Sequence, residues 1–128
     1  DYQRSRGLGD VYKRQEVNVQ DGAIIHCTYK KSPTTIGNQV TIGHNAIVHG
    51  CTIKDRVLIG MGAIVLDNCI VESDSIIAAG AVVTMGTHVK SGEIYAGVPA
   101  KKVKEGDFKK QLLELANKYV EYSKWYKD

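Results

Sequence analysis

The sequence predicts an all-β chain wound into a parallel β-helix of hexapeptide repeats and finished by one C-terminal α-helix. Three observations predict it: an aliphatic residue every six positions, a small or β-branched residue four places after each, and 13 glycines against a single Phe in 128 residues. That composition suits tight corners around a narrow aliphatic column better than a broad aromatic core.

The period comes first. Ile53, Ile59, Val65, Val71, Ile77, Val83 and Val89 recur without a break. Ile36, Ile42 and Val48 hold the same spacing before them, with one shorter step from Val48 to Ile53. The small companions are Val40, Ala46, Val57, Ala63, Cys69, Ser75, Ala81 and Thr87. Such a period fits neither a helix nor a hairpin array. It marks a hexapeptide β-helix, in which each hexad supplies one short strand and one corner, and three hexads close a triangular turn of about 18 residues. Side chains alternate along a strand, so each anchor and its companion point inward. Leu58, Ile64, Ile70, Ile76 and Val82, each just before an anchor, then face outward. That much apolar surface in series exceeds what a lone chain exposes. The terminal helix is expected to cover part of it, and the remainder predicts an oligomer.

The helix is read within residues 104–128. Phe108, Leu112, Leu115, Tyr119, Tyr122 and Tyr126 follow helical spacing, Asp107 can serve as N-cap, and the apolar stripe is expected to pack on the β-helix. The β-helix itself is assigned to 16–103. Val19 and Ile25, with Ala23 between them, carry the repeat upstream of an insertion placed at Tyr29 to Thr35, around Pro33. Residues 1–15 show no hexad and are expected to form a leader outside the fold.

Charge and cysteine usage exclude several classes. The net charge is +3, but residues 1–15 hold four Lys/Arg and two Asp, which leaves the remainder near neutral. That is no footprint for nucleic acid. No apolar run approaches the roughly 18–20 residues of a membrane span. Cys27, Cys51 and Cys69 are odd in number and lack CxxC spacing, so neither a disulfide framework nor a thiolate zinc site is expected, and a reducing, cytoplasmic compartment is the simplest reading.

The histidines carry the chemistry. Counted in hexads, the anchors Ile25 and Val48 lie three steps apart and stack on one face of adjacent turns. His26 and His49 each follow those anchors by one residue, so both point outward, one above the other at about 4.8 Å. Two imidazoles so placed can converge on one metal. His44 follows Ile42 by two residues, near the preceding corner, and should not reach the same point. A neighbouring copy related by a threefold axis would supply it, giving three sites per homotrimer. His88 reads as a solvated surface residue. Gln20 precedes His26 by one hexad. The three cysteines read as packing residues.

Several runs resemble the γ-class carbonic anhydrase family: Asn18-Val19-Gln20-Asp21-Gly22 with Ile25-His26, Thr41-Ile42-Gly43-His44 through Val48-His49-Gly50-Cys51, Val57 to Ala63, and Tyr95 to Lys101. The last ending is shared with hexapeptide acyltransferases. The resemblance spans about residues 16–105 and implies a left-handed coil, with zinc, iron or cobalt held by His26 and His49 of one subunit and His44 of the next. It further implies that the metal lowers the pKa of bound water to near neutrality, so that hydroxide attacks carbon dioxide to give bicarbonate. Gln20 and Asn18 match residues that hydrogen-bond the water or orient substrate, and Tyr95 is expected to line the pocket. Two departures stand out. Family members open with further coils and an Arg-Gly-Asp stretch, whereas here Arg6-Gly7 is followed by Leu8, so the chain reads as a shortened member behind an unrelated leader. The prototype's longer acidic loop, with its proton-shuttling Glu, has no counterpart, which predicts slow proton transfer. Two alternatives stand beside this reading: a metal-binding relative that is inactive or uses another substrate, and an acyltransferase using acetyl-CoA, which needs one histidine rather than three.

Overall fold

The structure, a computed structural model, describes residues 3–4, 11–27 and 33–125, with side chains at 11–27 and 33–118. Its strands form the three walls of a left-handed parallel β-helix, and the chain passes from wall to wall in a fixed order. The first wall holds Gln3–Arg4, Val11–Lys13, Thr34–Ile36, Thr52–Ile53, Ile70–Val71 and His88–Val89. The second holds Asn18–Val19, Thr41–Ile42, Leu58–Ile59, Ile76–Ile77, Glu93–Ala96 and Lys101–Glu105. Ile24–His26, Ile47–His49, Ile64–Val65 and Val82–Val83 make the third. Neighbouring strands within a wall are parallel, except for the pairings of Gln3–Arg4 with Val11–Lys13 and of Glu93–Ala96 with Lys101–Glu105.

The period accounts for the core. Every anchor from Ile36 to Val89 is buried, as are the companions Val40, Ala46, Val57, Ala63, Cys69, Ser75 and Ala81. Burying such a side chain stabilises the fold by about 1.5–3 kcal/mol, and the stacked turns make one continuous column of them. Val19 and Ile25, in the first described turn of the second and third walls, are less covered than the hexad count expects.

Corners are made in two ways. Gln39, Asn45, Arg56, Asn68 and Asp74 adopt left-handed φ between 52° and 65°. Gly60 instead meets a close approach: a Cβ there would lie 2.5 Å from the backbone nitrogen of Ala79 and 2.8 Å from the carbonyl carbon of Ala78. Only glycine lets those two turns stack at that corner.

Three boundaries differ from the sequence expectation. Val11–Lys13, inside the presumed leader, pairs in parallel with Thr34–Ile36, and Val11 is buried. This register sets Lys13 over Ile36, so the column continues where the hexad count finds a charged residue. The insertion expected at Tyr29 to Thr35 falls largely outside the described residues, but Thr34 and Thr35 are already strand. After the last hexad the chain forms the exposed strand Lys101–Glu105 before the helix Lys109–Trp125. Asp107 accepts a hydrogen bond from the Lys109 backbone N–H at 3.2 Å, as an N-cap does. Leu112 and Ala116 are buried, and the helix rests against Asn18–Val19 of the second wall. The side chains of Tyr119, Tyr122 and Tyr126 lie outside the described residues. Among the described residues no helix is long and apolar enough to cross a membrane.

Candidate metal centre

The third wall brings two histidines together. Ile24–His26 pairs in parallel with Ile47–His49, and the register sets His26 directly against His49. Their rings stack with centroids 4.9 Å apart and planes inclined by 20°. His26 Nδ1 and His49 Nε2 are 3.0 Å apart. Two nitrogen ligands on a tetrahedral zinc at ~2.0–2.1 Å stand ~3.3 Å apart, so this spacing fits a divalent cation after a shift of a few tenths of an ångström.

Two further groups hold the pair. The Asp67 carboxylate, one turn on, accepts a hydrogen bond from His49 Nδ1, and both side chains are partly buried. A carboxylate behind a histidine fixes its tautomer and makes the other nitrogen the ligand. Thr34 works on the backbone. Its buried hydroxyl donates to the carbonyl oxygen of His26 and accepts from the Gly50 N–H at 2.8 Å, tying together the ends of both histidine strands.

His44 stands elsewhere. It is exposed in the turn that enters Ile47–His49, whereas His49 ends that strand, so the two occupy opposite edges of the same wall, up to about 16 Å apart along the chain. Among the described residues no three His, Cys, Asp or Glu side chains converge tightly enough to hold an ion. One chain thus presents two imidazoles together and the third apart.

The remaining expected site residues divide as follows. Gln20 lies on the His44 side, not the His26 side: its backbone N–H bonds to Ile42 O at 3.0 Å, which sets it beside Gly43. One hexad is one wall, so a residue six before His26 cannot share its edge. Gln20 also lines an apolar groove of about 310 Å³ with Thr41, Leu58, Met61, Ile76 and Leu115. Asn18 sits on the second wall, and its Oδ1 is buried without a hydrogen-bond partner. Tyr95 registers with the anchor Ile77 and packs against the core, three turns from the Thr41–Ile42 strand, ~14 Å by strand spacing. His88 Nε2 meets Glu72 Oε2 at 2.6 Å on the first wall, away from the pair.

All three cysteines are free and buried. Burial pushes the Cys51 thiol well above its ordinary range and raises that of Cys69, which suits packing and not nucleophilic chemistry. Asp67 is the group sequence reasoning missed. In Leu66-Asp67-Asn68 it reads as an ordinary corner residue; only counting 18 positions on from His49, one full turn, points to it.

Comparison with known proteins agrees with this fold. Residues 50–84 match the family model described as bacterial transferase hexapeptide (six repeats). Gamma carbonic anhydrase 1, mitochondrial, from Arabidopsis thaliana is 46% identical over 89 residues, which is 66% of this chain and 32% of that protein. Protein YrdA from Escherichia coli is 43% identical over 131 residues, covering 94% of this chain and 71% of YrdA. A crystal structure of a hexapeptide transferase family protein from Anaplasma phagocytophilum superimposes with a TM-score of 0.82 at 38% identity, over 88% of this chain and 66% of that one. The chain spans about a third of the length of the plant mitochondrial relatives it matches.

Proposed function

The chain belongs to the hexapeptide-repeat family of the γ-class carbonic anhydrases, and from that premise we propose that it is a cytoplasmic homotrimeric metalloprotein that hydrates carbon dioxide reversibly. The observation that carries this is the in-register pair His26 and His49, spaced 3.0 Å between facing nitrogens and backed by Asp67. Zinc is the cation of choice, with iron or cobalt as substitutes, because three imidazoles suit each of them. His44 of a second copy completes the set, since it occupies the opposite edge of the same wall and a threefold arrangement sets edge against edge.

A divalent metal held there supplies an acidified water as the nucleophile at neutral pH. The chain's own residues do the rest. His49, anchored by Asp67, and His26, stacked on it, fix the position of the ion. Gln20, on the His44 edge, reaches the site from the same copy as His44 and offers its amide to orient the water or the substrate oxygen. Asn18 is two residues further back, on the strand the helix covers, with its side-chain oxygen buried and unpartnered.

Elemental analysis of the purified protein, compared with His44→Ala, tests the reading. The change should strip most of the metal while circular dichroism stays that of the wild type. Full metal occupancy in the variant would remove His44 from the site. Carbon dioxide hydration by stopped flow then separates an active enzyme from a metal-binding relative without that activity. A second reading, acyl transfer from acetyl-CoA, draws on the likeness to the hexapeptide transferase family protein from Anaplasma phagocytophilum; saturable acetyl-CoA binding by metal-free protein would favour it.

A further inference from the structure

We propose that Asp67 is a positioning residue for this centre: its carboxylate locks the His49 ring and holds the proton on Nδ1, so that Nε2 presents its lone pair to a divalent cation. The role rests on the metal-site reading above and assigns to it a residue that no sequence motif marks.

The backbone around Asp67 is fixed from both sides. Asn68, in the left-handed region at φ 63°, donates its N–H to Gly50 O at 2.8 Å, in the turn that carries His49. Asp67's own carbonyl oxygen accepts from the Gly86 N–H at 3.0 Å, in the turn beyond. The backbone that carries the carboxylate is therefore held by the corners of the turns on either side before any ion arrives. A supporting group locked by its surroundings is what a precise ligand geometry requires. His26, in contrast, meets only His49 through its side chain among the described residues. The pair thus has one fixed member and one that can adjust, and the fixed one is fixed by Asp67.

The competing explanation is that Asp67 merely ties two corners together. The two differ in what replacement does. An alanine at 67 leaves His49 free to rotate and to carry its proton on either nitrogen. An asparagine keeps the shape but can turn its NH₂ toward Nδ1, which drives the proton to Nε2 and blocks the ligand lone pair. A glutamate restores the carboxylate.

The test is zinc affinity by competition with a chromophoric chelator, together with the visible absorption of the Co²⁺-loaded protein, for the full chain and for Asp67→Ala, Asp67→Asn and Asp67→Glu. Loss of the partner should weaken zinc roughly 10–100-fold in the first two variants and change the Co²⁺ spectrum. The melting temperature of the metal-free protein should hold in Asp67→Asn, and Asp67→Glu should recover part of the affinity. Zinc affinity within twofold of wild type in Asp67→Asn overturns the role, as does a loss explained wholly by unfolding of the metal-free variant. A wild-type chain that takes up no zinc would sink the metal reading itself, and Asp67's part in it.

Discussion

Thr34 shows how single atoms hold the histidine edge. Its hydroxyl serves the Gly50 N–H and the His26 carbonyl at once, in a site with no access to water. Thr34→Val keeps the shape but removes both bonds of the hydroxyl, leaving the Gly50 N–H only its 3.0 Å bond to the His26 carbonyl, which should destabilise the fold by about 0.5–1.5 kcal/mol, read as a lower denaturant midpoint. The thiols make a second residue-scale case. With Cys51 and Cys69 raised by burial, folded protein at pH 8 should resist a thiol reagent that modifies the unfolded chain at once. The sign for stability follows: the unfolded thiols ionise first, so stability is intact below the ordinary thiol range and falls as pH rises past it. Cys69→Ala should flatten part of that slope in alkaline denaturation curves. His26 and His49 were legible as a stacked pair because both follow an anchor by one residue. Asp67 was not, because its link to His49 spans a whole turn and aspartate is common at corners for its own backbone reasons.

At the scale of one turn, the corner glycines are unequal. Gly86 takes φ +77° with open space around it, whereas Gly60 is pressed against the next turn. Gly86→Ala should lose roughly 1–2 kcal/mol from the left-handed backbone alone. Gly60→Ala must push two turns apart and should lose about 3 kcal/mol or more; equal melting temperatures for the two variants would contradict the close approach. The hexad anchors made the walls readable from the sequence almost strand by strand, because burial and periodicity coincide from Ile36 to Val89. They fail where the two part company. Lys13 fills an anchor register with a charge, hiding the strand Val11–Lys13. Lys101–Glu105 is a strand exposed on both faces, held by backbone pairing with Glu93–Ala96, so no apolar alternation announces it.

For the whole molecule, the metal reading ties stability to assembly. An ion that binds only folded, assembled chains stabilises them in proportion to its concentration over its dissociation constant, by about 2.7 kcal/mol at a hundredfold excess. Zinc should therefore raise the melting temperature of the wild type, a chelator should lower it, and His49→Ala should abolish both responses while the metal-free melt stays close to wild type. The parallel stacking has a consequence for how such a chain can change in length. Residue 64 sits over residue 47 and residue 82 over residue 64, steps of 17 and 18 positions. Loops aside, growth or shrinkage away from the histidine edge is tolerated in whole turns of the screw. Losing a single hexad would instead rotate everything beyond it by one wall and carry the C-terminal helix away from the Asn18–Val19 strand it covers.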